Sequence, residues 1–202
     1  MTPGNASYYD AEAAVYDESR GGLARAAAAA EAIGSLVPPR GVAVDVAGGT
    51  GIVSAELARL GFSVVVTDLS VGMLSVAWPR LPGRVLAASA DRLPVRSGSV
   101  DLVTAVWLLH LLPIPAADRV IAEAVRMLRP GGHFVTTVDK DLAHGRVRRT
   151  NADHAERVTA IAVRHGLGFV AQSSFTARTR WASAGGGDEQ VFPLVALRKG
   201  NG

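Results

Sequence analysis

Apolar positions along the chain alternate between two rhythms. Val42-Ala43-Val44-Asp45-Val46-Ala47 is a short β-branched run closed by glycines. A near-continuous apolar strand of this kind suits a parallel sheet covered on both faces. Before it, Tyr8 to Leu36 reads as helical and rich in alanine, and Pro38-Pro39 stops it. After it, Ile52 to Leu60 has helical spacing and ends at Gly61. Phe62 to Asp68 is a second strand, and Ser70 to Trp78 a short helix ended by Pro79. Arg84 to Ala88 is a weaker strand and Ser99 to Val106 a stronger one. A helix over Ala116 to Leu128 ends before Pro130-Gly131-Gly132, and His133 to Val138 is the fifth strand. A helix over Asn151 to His165 stops at Gly166. Gly168 to Phe175 and Gln190 to Arg198 follow as strands, joined by a loop with Gly185-Gly186-Gly187. Strand alternating with helix, then two strands in succession, predicts an α/β doubly wound sheet with a terminal hairpin. Pro193 removes one ladder hydrogen bond from the last strand, which predicts a bulge there.

Composition narrows the chemistry. The 202 residues are 49% hydrophobic and 19% charged, which suits one packed domain spanning 1–202. The chain has no cysteine, so disulfides, thiolate-ligated metals and cysteine nucleophiles are excluded. A formal charge of +3 is too small to argue for a nucleic-acid partner. The first residues lack a basic region followed by an apolar one, and the Ala26–Ala30 run is too short to span a bilayer, so a cytoplasmic protein without membrane contact is expected.

The loop after the first strand is the first chemical signal. Asp45-Val46-Ala47-Gly48-Gly49-Thr50-Gly51 lets a ligand approach the backbone closely, and the helix that follows offers free N–H donors. A dinucleotide fingerprint would need a third glycine, where Gly49-Thr50-Gly51-Ile52-Val53-Ser54 ends in serine. Asp68, at the end of the second strand and seventeen residues beyond Gly51, is placed to accept both hydroxyls of a ribose. The competing role for Asp68 is to cap the next helix, for which Ser70 is better placed.

Four motifs in order carry a resemblance: Val44 to Gly51; Asp68-Leu69-Ser70-Val71-Gly72-Met73-Leu74; Ala90-Asp91-Arg92-Leu93-Pro94 with Ser97 to Val103; and Leu128-Arg129-Pro130-Gly131-Gly132. Together they resemble the class I S-adenosylmethionine-dependent methyltransferases, in the small-molecule subgroup similar to ubiquinone and menaquinone biosynthesis methyltransferases. The departure is Ala47, which stands where that family has the first glycine of its loop. The resemblance implies a Rossmann-like seven-stranded sheet, mostly parallel with an antiparallel terminal hairpin strand and helices on both faces. It also implies an N-terminal helical lid (1–37) over a core (38–202), with S-adenosyl-L-methionine as cofactor and S-adenosyl-L-homocysteine as product. In this light Asp45 organises the loop, and Ala47, Gly48, Gly49 and Gly51 pass the methionine end of the cofactor. Asp68 takes the ribose. Leu69, Met73, Ala90, Asp91 and Leu93 surround the adenine, and Val106 adds a contact after the fourth strand. Leu128 to Gly132 would turn the chain tightly into strand five.

A small-molecule acceptor methylated on O, N or C is the expected substrate. An acceptor oxygen or amine can require a general base, and His110 is the candidate for that role. Trp107, Asp139 and His144 also lie after strands four and five, and Tyr8 and Tyr16 match the lid signature. No metal is expected, because Asp139 is followed by Lys140 where metal-dependent relatives have an Asp-Asn pair. Two other readings compete: an RNA methyltransferase, supported only by Arg146, Arg148 and Arg149 and an isoelectric point near 9.8, and a non-catalytic cofactor-binding protein. The oligomeric state is open, a homodimer included.

Overall fold

The computed structural model describes residues 3–140, 152–178 and 189–201. The chain begins with helices α1 (Pro3–Glu12), α2 (Tyr16–Ser19) and α3 (Gly22–Leu36). One continuous helix from Tyr8 is expected; the chain breaks twice, and the break between α2 and α3 has a local cause. Gly21 and Gly22 take φ of +94° and +56°, values glycine reaches without the penalty a Cβ imposes. There follow β1 (Gly41–Val46), α4 (Ile52–Arg59), β2 (Phe62–Asp68), α5 (Val71–Ala77), β3 (Val85–Ala87) and β4 (Val100–Ala105). A single 3-10 turn over Leu109–Leu111 leads to α6 (Ile114–Met127), β5 (Leu128–Thr137), α7 (Ala155–Arg164), β6 (Leu167–Arg178) and β7 (Glu189–Lys199).

The seven strands form one sheet in the order β3-β2-β1-β4-β5-β7-β6. β1 to β5 pair in parallel, and β7 inserts antiparallel between β5 and β6. This is the doubly wound arrangement with an antiparallel hairpin that the alternation predicts. Period-two side chains serve two separate cores. Val44, Val103, Phe134 and Val195 pack with Ile121 and Met127 of α6 and Ile161 of α7. Ala43, Leu102, Val135 and Leu194 pack on the other face with Ile33 of α3 and Leu57 of α4. Among the described residues no helix is long and apolar enough to cross a membrane.

Two local expectations change. Leu128 to Gly132 does not precede strand five as a turn but lies inside it as a bulge. Val100 pairs with Leu128 and Leu102 with His133, so two steps along β4 match five along β5. Pro193, in contrast, causes no bulge: Leu194, Pro193 and Phe192 pair in unbroken register with Ser173, Ser174 and Phe175. Its carbonyl accepts from Val138 N, just past the end of β5. Since N and C=O of one strand residue face the same side, the missing N–H falls at the terminal rung of the β5 ladder. The ladder to β6 is untouched.

Candidate functional site

Strand order reverses between β1 and β4, and the crevice above their carboxyl ends is where a doubly wound sheet binds ligands. There an open cleft of about 770 Å³ runs from α1 and α2 across the glycine loop to the residues after β4. A smaller recess of about 210 Å³, lined by Leu69, Ala88 and Ala90, shares Ala47 and Asp68 with it.

The loop geometry depends on small residues. Ala47 sits at φ +55°, a left-handed conformation that costs a residue with a Cβ about 1–2 kcal/mol. A Cβ on Gly48 would lie 2.6 Å from both Asp45 Oδ2 and Val66 Cγ2. Gly49 and Met73 line the cleft, whereas Gly51, at the start of α4, does not. Thr50, Ile52 and Val53 bring the first turn of that helix to the cleft wall. Asp45 is buried and accepts from Ser54 Oγ of α4 and, at 2.7 Å, from Thr104 Oγ1 of β4. Desolvation raises its carboxyl above the usual aspartate range, against the two hydroxyl donors. Asp45 thus ties the loop's strand to its two neighbours.

Asp68 is 6% exposed. Its Oδ2 accepts from Gly49 N at 3.0 Å and its Oδ1 from Ser70 N at 2.9 Å, and burial pushes its carboxyl up. Capping of α5 falls to Ser70, whose Oγ accepts from Met73 N and donates to Asp10 Oδ1 at 2.6 Å. Asp10 also accepts from Gly72 N at 2.8 Å, which docks α1 on α5.

The N-terminal helices contribute more than the sequence motifs disclosed. Tyr9, not Tyr8, lines the cleft together with Tyr16; Tyr8 is 47% exposed. Burial pushes the Tyr9 hydroxyl up to about 12 and also raises Tyr16, so both remain protonated donors. Asp17 accepts from Thr50 Oγ1 at 2.5 Å and pairs with Arg80 at 2.6 Å, while Arg80 donates to the Thr50 carbonyl at 2.7 Å. These bonds clamp α2 onto the glycine loop. Arg20 and Arg25 also line the cleft. In the sequence these residues look like an ordinary helical charge pattern.

Beyond β4, Val106, Trp107, Leu108 and Leu111 form the opposite wall. Trp107 takes φ +58° and its N donates to Thr137 Oγ1 at 2.7 Å. Its ring meets Phe175 and Phe192 edge-on at 6.0 and 5.6 Å. His110 is buried, with Nε2 2.8 Å from Lys140 Nζ, and is not among the cleft-lining residues. Asp139 accepts from Ala155 N, at the start of α7, and stays outside the lining as well. Asp91 is engaged by Ser89 Oγ at 2.7 Å and Arg119 Nε at 3.1 Å, which hold its carboxyl below the usual range. Leu93 is core, its N bonded to Glu123. Neither lines the cleft or the recess. His144, Arg146, Arg148 and Arg149 lie outside the described residues. The geometry therefore joins Asp45, Ala47, Gly48, Gly49, Asp68, Met73, Val106, Trp107 and Tyr16 around one cleft, with Leu69 and Ala90 in the adjoining recess.

Comparison with known proteins points the same way. Residues 44–136 match the methyltransferase domain family, a segment that excludes α1 to α3 and the terminal hairpin. Over 101 residues the chain is 37% identical to the ubiquinone/menaquinone biosynthesis C-methyltransferase of Methylobacterium nodulans, across 46% of this chain and 39% of that protein. It is 40% identical over 93 residues to the demethylmenaquinone methyltransferase of Beutenbergia cavernae, across 46% and 38%. The matched part thus spans about two fifths of these curated relatives' length. Among solved structures, an S-adenosylmethionine dependent methyltransferase from Mesorhizobium loti shares the fold with a TM-score of 0.65 at 22% identity, covering 88% of this chain and all of that one.

Proposed function

From a chain that carries the motifs and the fold of the class I S-adenosylmethionine-dependent methyltransferases, we propose that it transfers a methyl group from S-adenosylmethionine to a small-molecule acceptor. The observation that carries this is the carboxylate of Asp68, held at the mouth of the glycine loop between the cleft and the recess. The residues fit the cofactor. Asp68 is placed for ribose hydroxyls, the recess of Leu69, Ala88 and Ala90 for a flat base, and the loop from Ala47 to Gly49 for close backbone approach.

When bound, the cofactor supplies an electrophilic methyl on a sulfonium. The protein's share of the work is placement: an acceptor held in line with the methyl removes on the order of 7–11 kcal/mol of barrier in favourable cases. The wall of Val106, Trp107 and Leu111 excludes water and orients the acceptor, and the protonated hydroxyls of Tyr9 and Tyr16 offer hydrogen bonds from the opposite side. His110, pointed away beside Lys140, serves packing in this scheme rather than proton transfer. Of residues 1–37, α1 and α2 act as a lid on a single domain, and α3 packs into its core.

Calorimetric titration with S-adenosylhomocysteine tests the proposal. The native chain binds it, and Asp68→Ala weakens it about tenfold or more, the scale of hydrogen bonds to a charged group. No heat with the native chain, or equal binding by the variant, overturns it.

A further inference from the structure

The cleft holds a buried cation. Arg25, on α3, lines the cleft and lays its guanidinium 3.7 Å above the Trp107 ring and 5.6 Å from that of Phe192. Among the described residues no carboxylate pairs with it. Asp17, the acid nearest along the lid, is spent on Arg80 and Thr50, while Asp45 and Asp68 bond toward the sheet and the glycine loop. Beside it the indole N–H of Trp107 is buried and has no acceptor among the described residues. A guanidinium stacked on an aromatic face keeps its in-plane N–H fork for a planar anion, the geometry a carboxylate matches. Burial already pulls Arg25 down to about 10, mainly through desolvation, so an arriving anion relieves a standing cost.

Arg25 stands against the wall that follows β4. Of its ring partners, Trp107 follows β4, next to β1, and Phe192 lies on β7, three strands beyond β1, whereas the glycine loop and Asp68 close β1 and β2. The wall it shares is flat and apolar, with Phe175 and Phe192 stacked 5.0 Å apart behind Trp107. Arg25, Phe175 and Phe192 fall outside residues 44–136, so the matched family segment accounts for Trp107 alone among the four.

We propose that Arg25, seated on Trp107, recognises a carboxylate or equally acidic oxygen on the acceptor, so that the substrate is a planar, apolar molecule bearing one negative charge. The inference rests on the methyl-transfer function proposed above, and the experiment separates the two. Benzoate and 2-naphthoate, with their amides as neutral counterparts, are titrated into the protein with and without S-adenosylhomocysteine. The same is done for Arg25→Gln and Arg25→Lys, and thermal melting of each variant checks folding. The acids bind the native chain in preference to the amides, Arg25→Gln weakens them by about tenfold or more, and Arg25→Lys, with charge but no fork, falls between. S-adenosylhomocysteine affinity stays within about threefold in both variants.

Three results overturn the proposal. One is amides binding as well as acids. Another is acids binding Arg25→Gln as well as the native chain. The third is a large loss of S-adenosylhomocysteine affinity in Arg25→Gln with 5′-methylthioadenosine, which lacks the amino-acid end, unaffected; that would give Arg25 to the cofactor's own carboxylate. A native chain that takes the acids but no S-adenosylhomocysteine would leave the anion site standing and remove the methyl-transfer function.

Discussion

Ala47 holds a left-handed conformation in the middle of the glycine loop. The strain has a measurable sign. Ala47→Gly should raise stability by up to about 1 kcal/mol, the extra freedom of glycine in the unfolded chain offsetting part of the relief. For a chain of this length that is a melting temperature higher by about 2–4 °C, and a fall instead would mean the Ala47 methyl is stabilised by its neighbours. Asp45 makes a different prediction. Its folded carboxyl is raised by burial, so the contribution it makes to stability is present below the unfolded value of 3.8 and is lost as pH rises through the folded one. Asp45→Asn should therefore compare most favourably with the native chain at neutral pH, and the comparison should worsen as pH falls toward 4. Melting curves across pH read this directly; a gap independent of pH would show that the carboxylate carries no net cost. At this scale the sequence was informative where chemistry follows from position along a strand end, as with Asp45 and Asp68. It was misleading where a side chain's direction depends on distant partners: Asp91 turns to Arg119, and Asp139 to the start of α7.

At the scale of elements, the strands were legible because their apolar runs are short and bounded by glycine or proline. The irregularities were not. Pro193 was expected to bulge its strand, yet it is harmless because β5 ends opposite it, a fact of pairing that no local pattern contains. The bulge lies instead at Arg129 to Gly132, where β5 must rejoin β4 in register. Likewise Tyr8 to Leu36 looks uniformly helical, but the left-handed Gly21 and Gly22 fold α1 and α2 back over the cleft. What holds α2 there is the clamp of Asp17, Arg80 and Thr50. The Arg80 side chain is 31% exposed, so the ion pair itself is worth at most about 1 kcal/mol. Arg80→Ala should accordingly change the melting temperature little while speeding S-adenosylhomocysteine dissociation several-fold, as stopped-flow release would show. A large loss of stability with unchanged release would make the clamp a scaffold instead.

For the whole molecule, the two cores divide the labour. The face with α6 and α7 is sealed by large apolar residues such as Met127, Phe134 and Ile161. The other face, under α3 and α4, merges at its upper end with the cleft, so that Trp107 and Phe192 serve packing and site at once. Helices α1 and α2, the part of the proposed lid that lies outside the core, are fastened at two points, Asp10 on α5 and Asp17 on the glycine loop, by hydrogen bonds and one ion pair. Such contacts break and re-form without exposing a core. In the proposed function product release waits for these contacts to part, so turnover should follow the rhythm of their opening and slow in viscous solvent, with the chemical step waiting on the door.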